Sequence, residues 1–151
     1  MSEDQPEFNL GAALGAGDNE SSFQRFAIYI PNKDKQNNPV NVASWIELGL
    51  YTLLKVNSGC TALPAAIGRY KDEDESGVIV EYEEDTVIIY SFIFDPAAFE
   101  QNIHEIKAFV HTFGRETNQK AVMCEIIGEG ASDGVFYSRA YMVKDFDPPP
   151  V

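Results

Sequence analysis

Between Asp95 and Gly114 the chain carries a full set of helix signals, and they constrain the fold more than any other stretch. Asp95 is an N-cap residue type, and Pro96 takes the first helical position, where its missing N–H costs nothing. Phe99, Ile103, Ile106, Val110 and Phe113 then recur at steps of 4-3-4-3, and Gly114 reads as the stop. An apolar stripe of that length has to be buried against something. The run just before it, Thr86 to Phe94, is β-branched and aromatic and reads as the strand that helix covers.

The rest of the chain repeats the theme. Phe26 to Ile30 is a strand, stopped by Pro31 and the polar run to Asn38. A helix follows with Asn41 as its N-cap: Ala43, Ile46, Leu50 and Leu53 share one face, widened by Trp45, Leu48 and Leu54, and Asn57-Ser58-Gly59 ends it. Ala65 to Lys71 and Val78 to Glu83 flank an acidic turn as a hairpin, whose second strand continues to Phe94 past an irregularity at Glu83 to Asp85. Ala121 to Ile127 and Val135 to Val143 are strands around a glycine-rich turn.

The order is therefore β-α-β-β-α-β with one extra strand. This is an α+β plan: a ferredoxin-like split βαβ antiparallel sheet, two helices on one face, and an extra C-terminal strand. A chain of 151 residues can bury one ordinary core, so residues 23–144 form a single domain. Residues 1–22 read as a disordered or loosely docked arm, and 145–151 as a Pro-rich extended tail. Both parities of the 86–94 strand are apolar, so a second sheet face needs cover from self-association, the extra strand or a ligand. Tyr90, Phe92, Tyr137 and Tyr141 are the candidates for that face.

Charge narrows the roles. A net charge of −13 disfavours direct binding to nucleic acid phosphates. No apolar run approaches the ~20 residues of a membrane span, and Glu3, Asp4 and Glu7 stand where a secretory signal would carry Lys or Arg. A cytoplasmic protein with Cys60 and Cys124 as reduced thiols is expected. Eight of the 24 acidic side chains lie between Asp72 and Asp85. Within that cluster Asp72, Glu73, Asp74 and Glu75 suit a basic protein partner.

The same cluster fits a calcium-loop template through Asp72, Asp74, Ser76 and Glu83, with Gly77 at the sixth place. The flanking residues are strand-like instead of helical, and a polar hairpin turn with Gly77 in a left-handed conformation explains them without a metal. His104 and His111 lie seven residues apart on one helix, roughly 10.5 Å of rise, too far to share an ion. Cys60 sits near a helix C-terminus, where the dipole disfavours a thiolate. Glu81 and Glu125 are single acids in apolar strands that could form a carboxylate pair, or pair with Arg69, Arg115 or Arg139 across the sheet.

Gly59-Cys60-Thr61, Gly68-Arg69-Tyr70, the acidic turn, Glu81, and Phe113-Gly114-Arg115-Glu116 before Val122 form a pattern over residues 26 to 127. It resembles a small bacterial family of ferredoxin-like proteins, a domain of unknown function. That resemblance implies the same fold and a groove near Gly59, Thr61, Tyr70 and Glu81, with Tyr70 where the family often carries an aromatic residue, usually Trp. It lends no activity.

With no catalytic set and no cofactor motif, the preferred expectation is a non-enzymatic interaction protein. It would act as a homodimer, or as a subunit or inhibitor of a larger assembly. The alternative is a small-molecule binding protein or modest enzyme. Its pocket, between the sheet and the loop at 59–70, would be lined by Thr61, Tyr70, Glu81 and Tyr90.

Overall fold

A computed structural model describes residues 8–17, 21–22, 24–129 and 135–151. Five strands, β1 (Gln24–Pro31), β2 (Thr61–Glu73), β3 (Ile79–Ile93), β4 (Val122–Glu129) and β5 (Phe136–Val143), form one sheet in the order β2-β3-β1-β4-β5. Every neighbouring pair is antiparallel. The helices are α1 (Leu10–Leu14), α2 (Ala43–Asn57), α3 (Pro96–Gln101) and α4 (Ile103–Glu116). The chain is thus α+β with an open five-stranded antiparallel sheet. No helix among the described residues is long and apolar enough to cross a membrane.

Alternation decides which side chains meet the helices. Phe26, Ile28 and Ile30 of β1 share a face with Ile89 and Ile93 of β3 and with Val122 and Cys124 of β4. This face packs on Leu53 and Val56 of α2 and on Ile106, Phe109, Val110 and Phe113 of α4, giving one continuous core. Gly49 lies at the tightest point of that packing: a Cβ there would stand 2.5 Å from Ile89 Cδ1 and 2.8 Å from Phe109 Cζ. The opposite parity, Tyr29, Ile88, Tyr90 and Phe92, points to the side without helices.

Several expected details change. The second helix is two: Asp95 accepts from the Ala98 N–H at 3.1 Å as an N-cap should, but α3 ends at Gln101. There the Asn102 side chain donates to the Ala98 carbonyl at 2.8 Å and a new helix starts at Ile103. Gly114 does not stop α4, which runs on to Glu116. Its missing side chain makes room for the Phe146 ring, three carbons of which lie 2.2 to 2.6 Å from where a Cβ would be.

The C-terminal tail is accordingly tied to α4. The Asp147 N–H donates to His111 Nδ1 at 2.8 Å, Arg115 donates to the Asp147 carbonyl at 2.6 Å, and Lys107 pairs with the Asp147 carboxylate at 3.3 Å. Near the N-terminus, Leu10–Leu14 form the short helix α1, capped by Asn9 and closed by Gly15 at φ 81°. In α2 the first flanking residue is Val42, with Asn41 Oδ1 accepting from the Ala43 N–H one position earlier than expected. The irregularity placed at Glu83–Asp85 belongs instead to β2, between Leu63 and Ala66, where Pro64 has no N–H for the ladder.

Pairing between β1 and β3 ends at Pro31 with Thr86, so the far halves of β2 and β3 continue past the sheet as a two-stranded arm. The arm is held at its root by a reciprocal pair, Asn32 N–H to the Asp85 carbonyl at 2.9 Å and Asp85 N–H to Asn32 Oδ1 at 3.0 Å. Lys33 donates to the Glu83 carbonyl at 2.8 Å. Nearer the tip, Lys120 donates to Asp72 Oδ2 at 2.6 Å.

Candidate functional site

The arm faces the helix-free side of the sheet through one parity of each strand. In β2 these are Ala66, Gly68, Tyr70 and Asp72, paired with Thr86, Glu84, Tyr82 and Val80 of β3. All of these but Val80, together with Tyr29, with Met123 of β4, with Met142 of β5 and with the Gln119–Lys120 turn, enclose a groove of about 580 Å³. The Tyr70 and Tyr82 rings stack, with centroids 5.2 Å apart and planes 14° from parallel.

Beside the stack the Tyr70 phenol stands near the Glu84 carboxylate. Burial pushes the Tyr70 phenol up to about 12, and the negative charge of Glu84 adds to the effect. Burial also raises Glu84 above its ordinary value, opposed by the nearby Tyr70 phenol and by the charge of Lys33. A second phenol–carboxylate pair stands on the same face: Tyr29 donates to Glu125 Oε1 at 3.1 Å, and burial first, then Glu125, raises Tyr29. At the other end, the hydrogen bond from Lys120 holds the Asp72 carboxyl below its ordinary value, with Lys144 contributing charge. The groove therefore joins an aromatic pair with Glu84 to a cationic region at Asp72, where Lys120 and Lys144 meet, and Lys35 is a further cation in its lining.

A separate cavity of about 520 Å³ lies where α2 ends, between Ser58–Thr61, the end of β3 and Asp95. Thr61, Tyr90 and Phe92 line it beside the half-buried Cys60. In its wall Asn57 Nδ2 donates to Ser91 Oγ at 2.7 Å.

The four expected ligand residues are thus not gathered. Thr61 and Tyr90 pair across β2 and β3 in the cavity, while Tyr70, nine residues further along β2 and up to roughly 30 Å away, lines the groove. Glu81 sits on the other face of the arm, paired with Lys71 at 3.9 Å, so it meets neither Tyr70 nor Glu125.

The expected second-face set divides as well. Tyr90 and Phe92 point to the helix-free side, but Tyr137 and Tyr141 pair with Gly128 and Cys124 and share the parity of the core. Tyr137 accepts from Gln24 Nε2 at 2.9 Å, and Tyr141 remains exposed at the β5 edge.

In the acidic turn Asp74 Oδ1 accepts from the Ser76 N–H at 2.9 Å, the Ser76 hydroxyl at 2.6 Å and the Val78 N–H at 3.0 Å, closing the turn with Gly77 at φ 81°. Glu73 and Glu75 are exposed beside it, Glu75 accepting from Gln36 Nε2 at 3.3 Å. Of the calcium-loop residues, Asp72 is engaged by Lys120 and Glu83 by Arg69 at 3.0 Å. Among the described residues no group of three or more His, Cys, Asp or Glu is arranged to hold a metal. Cys124 is a core residue whose thiol burial pushes up to about 12.

Sequence reasoning missed Tyr82, Glu84, Tyr29 and the lysines of the groove. One signal was available: closing the hairpin between Asp74 and Val78 sets Tyr70 opposite Tyr82, and Glu84 then follows on the same face by alternation.

No family model and no curated protein matches the chain. Among solved structures it is similar to a phage SAM (S-adenosylmethionine) lyase in complex with S-methyl-5'-thioadenosine, with a TM-score of 0.56 at 13% identity, covering 84% of this chain and 95% of that one. It is also similar to a phage SAM lyase in the apo state, with a TM-score of 0.53 at 16% identity, over 82% of this chain and 90% of the other. At such identities the likeness is one of fold.

Proposed function

We propose that this protein binds a nucleoside of the S-adenosylmethionine class in the groove between its hairpin arm and the helix-free sheet face, and cleaves the sulfonium form. The observation that carries this reading is the stacked Tyr70–Tyr82 pair beside the half-buried Glu84. A purine stacks on flat aromatic rings, a sulfonium is drawn to aromatic faces and to a carboxylate, and ribose hydroxyls donate to a carboxylate. The groove volume falls in the range of small-molecule sites, roughly 300 to 1,000 Å³.

As water bonds to the methionyl carbon and gives up a proton to solvent, the carbon–sulfur bond breaks, its electron pair passes to sulfur and the thioether leaves uncharged, so the positive charge at sulfur disappears as the reaction proceeds. A fully ionised, unpaired carboxylate against the sulfur would stabilise the substrate more than the transition state. Glu84 stands beside the Tyr70 phenol and within the charge of Lys33, so it is not an unpaired anion against the sulfur.

On this reading the fold is ferredoxin-like with an appended strand. Supporting it are the neighbour order β4, β1, β3, β2 with β5 outside β4, and the helices that follow β1 and β3. A cytoplasmic site of action, expected from the sequence, suits such a ligand.

The test is direct: incubate the purified protein with S-adenosylmethionine and follow S-methyl-5'-thioadenosine by chromatography. Accumulation in proportion to protein is expected; absence of both product and measurable thioether binding at millimolar ligand would overturn the proposal.

A second reading, an acidic interaction protein that pairs as a homodimer or meets a basic partner, is favoured by exposed Phe136, Tyr141 and Met142 on the edge strand β5.

A further inference from the structure

We infer that the ammonium end of the groove reads the ligand's α-carboxylate, so that the site prefers thioether nucleosides carrying the amino-acid chain over those that have lost it. The inference rests on the proposed nucleoside site and names the part of the ligand that the lysines select.

Cations are scarce in this chain, eleven Lys and Arg against 24 Asp and Glu, and most are already engaged. Lys55, Lys107 and Arg115 pair with carboxylates elsewhere, and Arg69 and Lys71, which also border the groove, pair with Glu83 and Glu81. Three of the remaining ones, Lys35, Lys120 and Lys144, come from three separate segments and line the groove, where Lys120 donates to Asp72 and Lys144 adds its charge beside it. Lys120 is spent on Asp72, and among the described residues neither Lys35 nor Lys144 forms an ion pair. Asp72 is the acidic residue lining this end, and Lys120 neutralises it. The end therefore carries surplus positive charge on a protein whose net charge is −13.

Register supplies the spacing. Asp72, with Lys120 upon it, is two residues from Tyr70 on the same face of β2, roughly 7 Å along the strand. The methionyl chain from sulfur to its carboxylate carbon is four bonds, roughly 5 Å when extended. With sulfur over the Tyr70–Tyr82 stack, the carboxylate comes within reach of the flexible Lys35 and Lys144 side chains. In the other direction Glu84 pairs with Gly68, again two residues away and roughly 7 Å along the strand, where it can accept from the ribose hydroxyls. A ligand laid along the arm thus meets a cation, an aromatic pair and a carboxylate in the order of its own carboxylate, sulfur and ribose.

Calorimetric titration of S-adenosylhomocysteine and S-methyl-5'-thioadenosine tests this, because both are uncharged at sulfur and differ in the amino-acid chain. Charge-assisted contacts to the carboxylate should make the wild-type protein bind S-adenosylhomocysteine roughly tenfold tighter. In the Lys35→Gln/Lys144→Gln double variant that ratio should fall to about one. A ratio unchanged in a double variant with the wild-type melting temperature and far-ultraviolet spectrum would overturn the inference. So would a wild-type ratio near one with S-methyl-5'-thioadenosine binding intact, which leaves the nucleoside site standing. Failure of the wild-type protein to bind either thioether would overturn the nucleoside site and the inference together.

Discussion

Gly49→Val is expected to destabilise the fold by about 3 kcal/mol, read as a lower urea midpoint at unchanged slope and a fall in melting temperature of roughly 6 to 12 °C. Helix propensity alone argues the other way, since glycine inside a helix costs about 1 kcal/mol relative to alanine. The packing outweighs it. Gly49 is buried on the inner side of α2, and even a single added carbon would stand 2.5 Å from Ile89 Cδ1, on a side chain that is itself fully buried. Phe109 closes the other side at 2.8 Å. Valine brings two further methyl groups into this space, so either α2 moves off the sheet or Ile89 and Phe109 leave their rotamers. An unchanged midpoint would mean that α2 does not approach β3 and α4 this closely.

Tyr70→Ala combined with Glu84→Ala is expected to weaken binding of S-methyl-5'-thioadenosine about 100-fold, the largest effect of any substitution in the groove. Removing Tyr70 takes away half of the stack, and base–aromatic stacking is worth about 1 to 3 kcal/mol. Removing Glu84 takes away a hydrogen-bond acceptor whose contacts to hydroxyls contribute about 1.5 to 3 kcal/mol. Calorimetric titration measures the loss. Both side chains face the groove instead of the core, so the variant should melt close to wild type. Wild-type affinity in a folded double variant would remove the groove from the account.

The succession of strands and helices was legible because each element carries its own period. Phe26, Ile28 and Ile30 alternate, Phe99 to Phe113 repeat at helical steps, and Asp95 with Pro96 marks a helix start that the structure keeps. What misled were residues whose role depends on distant chain. Gly114 looks like a helix stop in isolation, yet it serves Phe146, 32 residues later, and no local signal carries that. Asn102 is a weak helix former with no pattern to announce that its side chain would take the Ala98 carbonyl.

The site was half legible for a related reason. Tyr70 stood out as an aromatic residue beside Gly68, and it does line the groove. The family resemblance groups Glu81 with it, but alternation sends Glu81 to the opposite face and brings Tyr82 and Glu84 in its place. Lys120 and Lys144 come from segments some 50 and 70 positions away and join Tyr70 only through the sheet order β2-β3-β1-β4-β5 and the bend of the arm. Thr61 and Tyr90 do meet each other, in the separate cavity beside Cys60.

That separation gives the central claim its most direct test, a crystal structure of the protein grown with S-methyl-5'-thioadenosine. The account predicts the purine and sulfur against the Tyr70–Tyr82 stack, with the ribose hydroxyls on Glu84. Density for the nucleoside in the cavity between Thr61, Tyr90 and Phe92, with the groove empty, would contradict it.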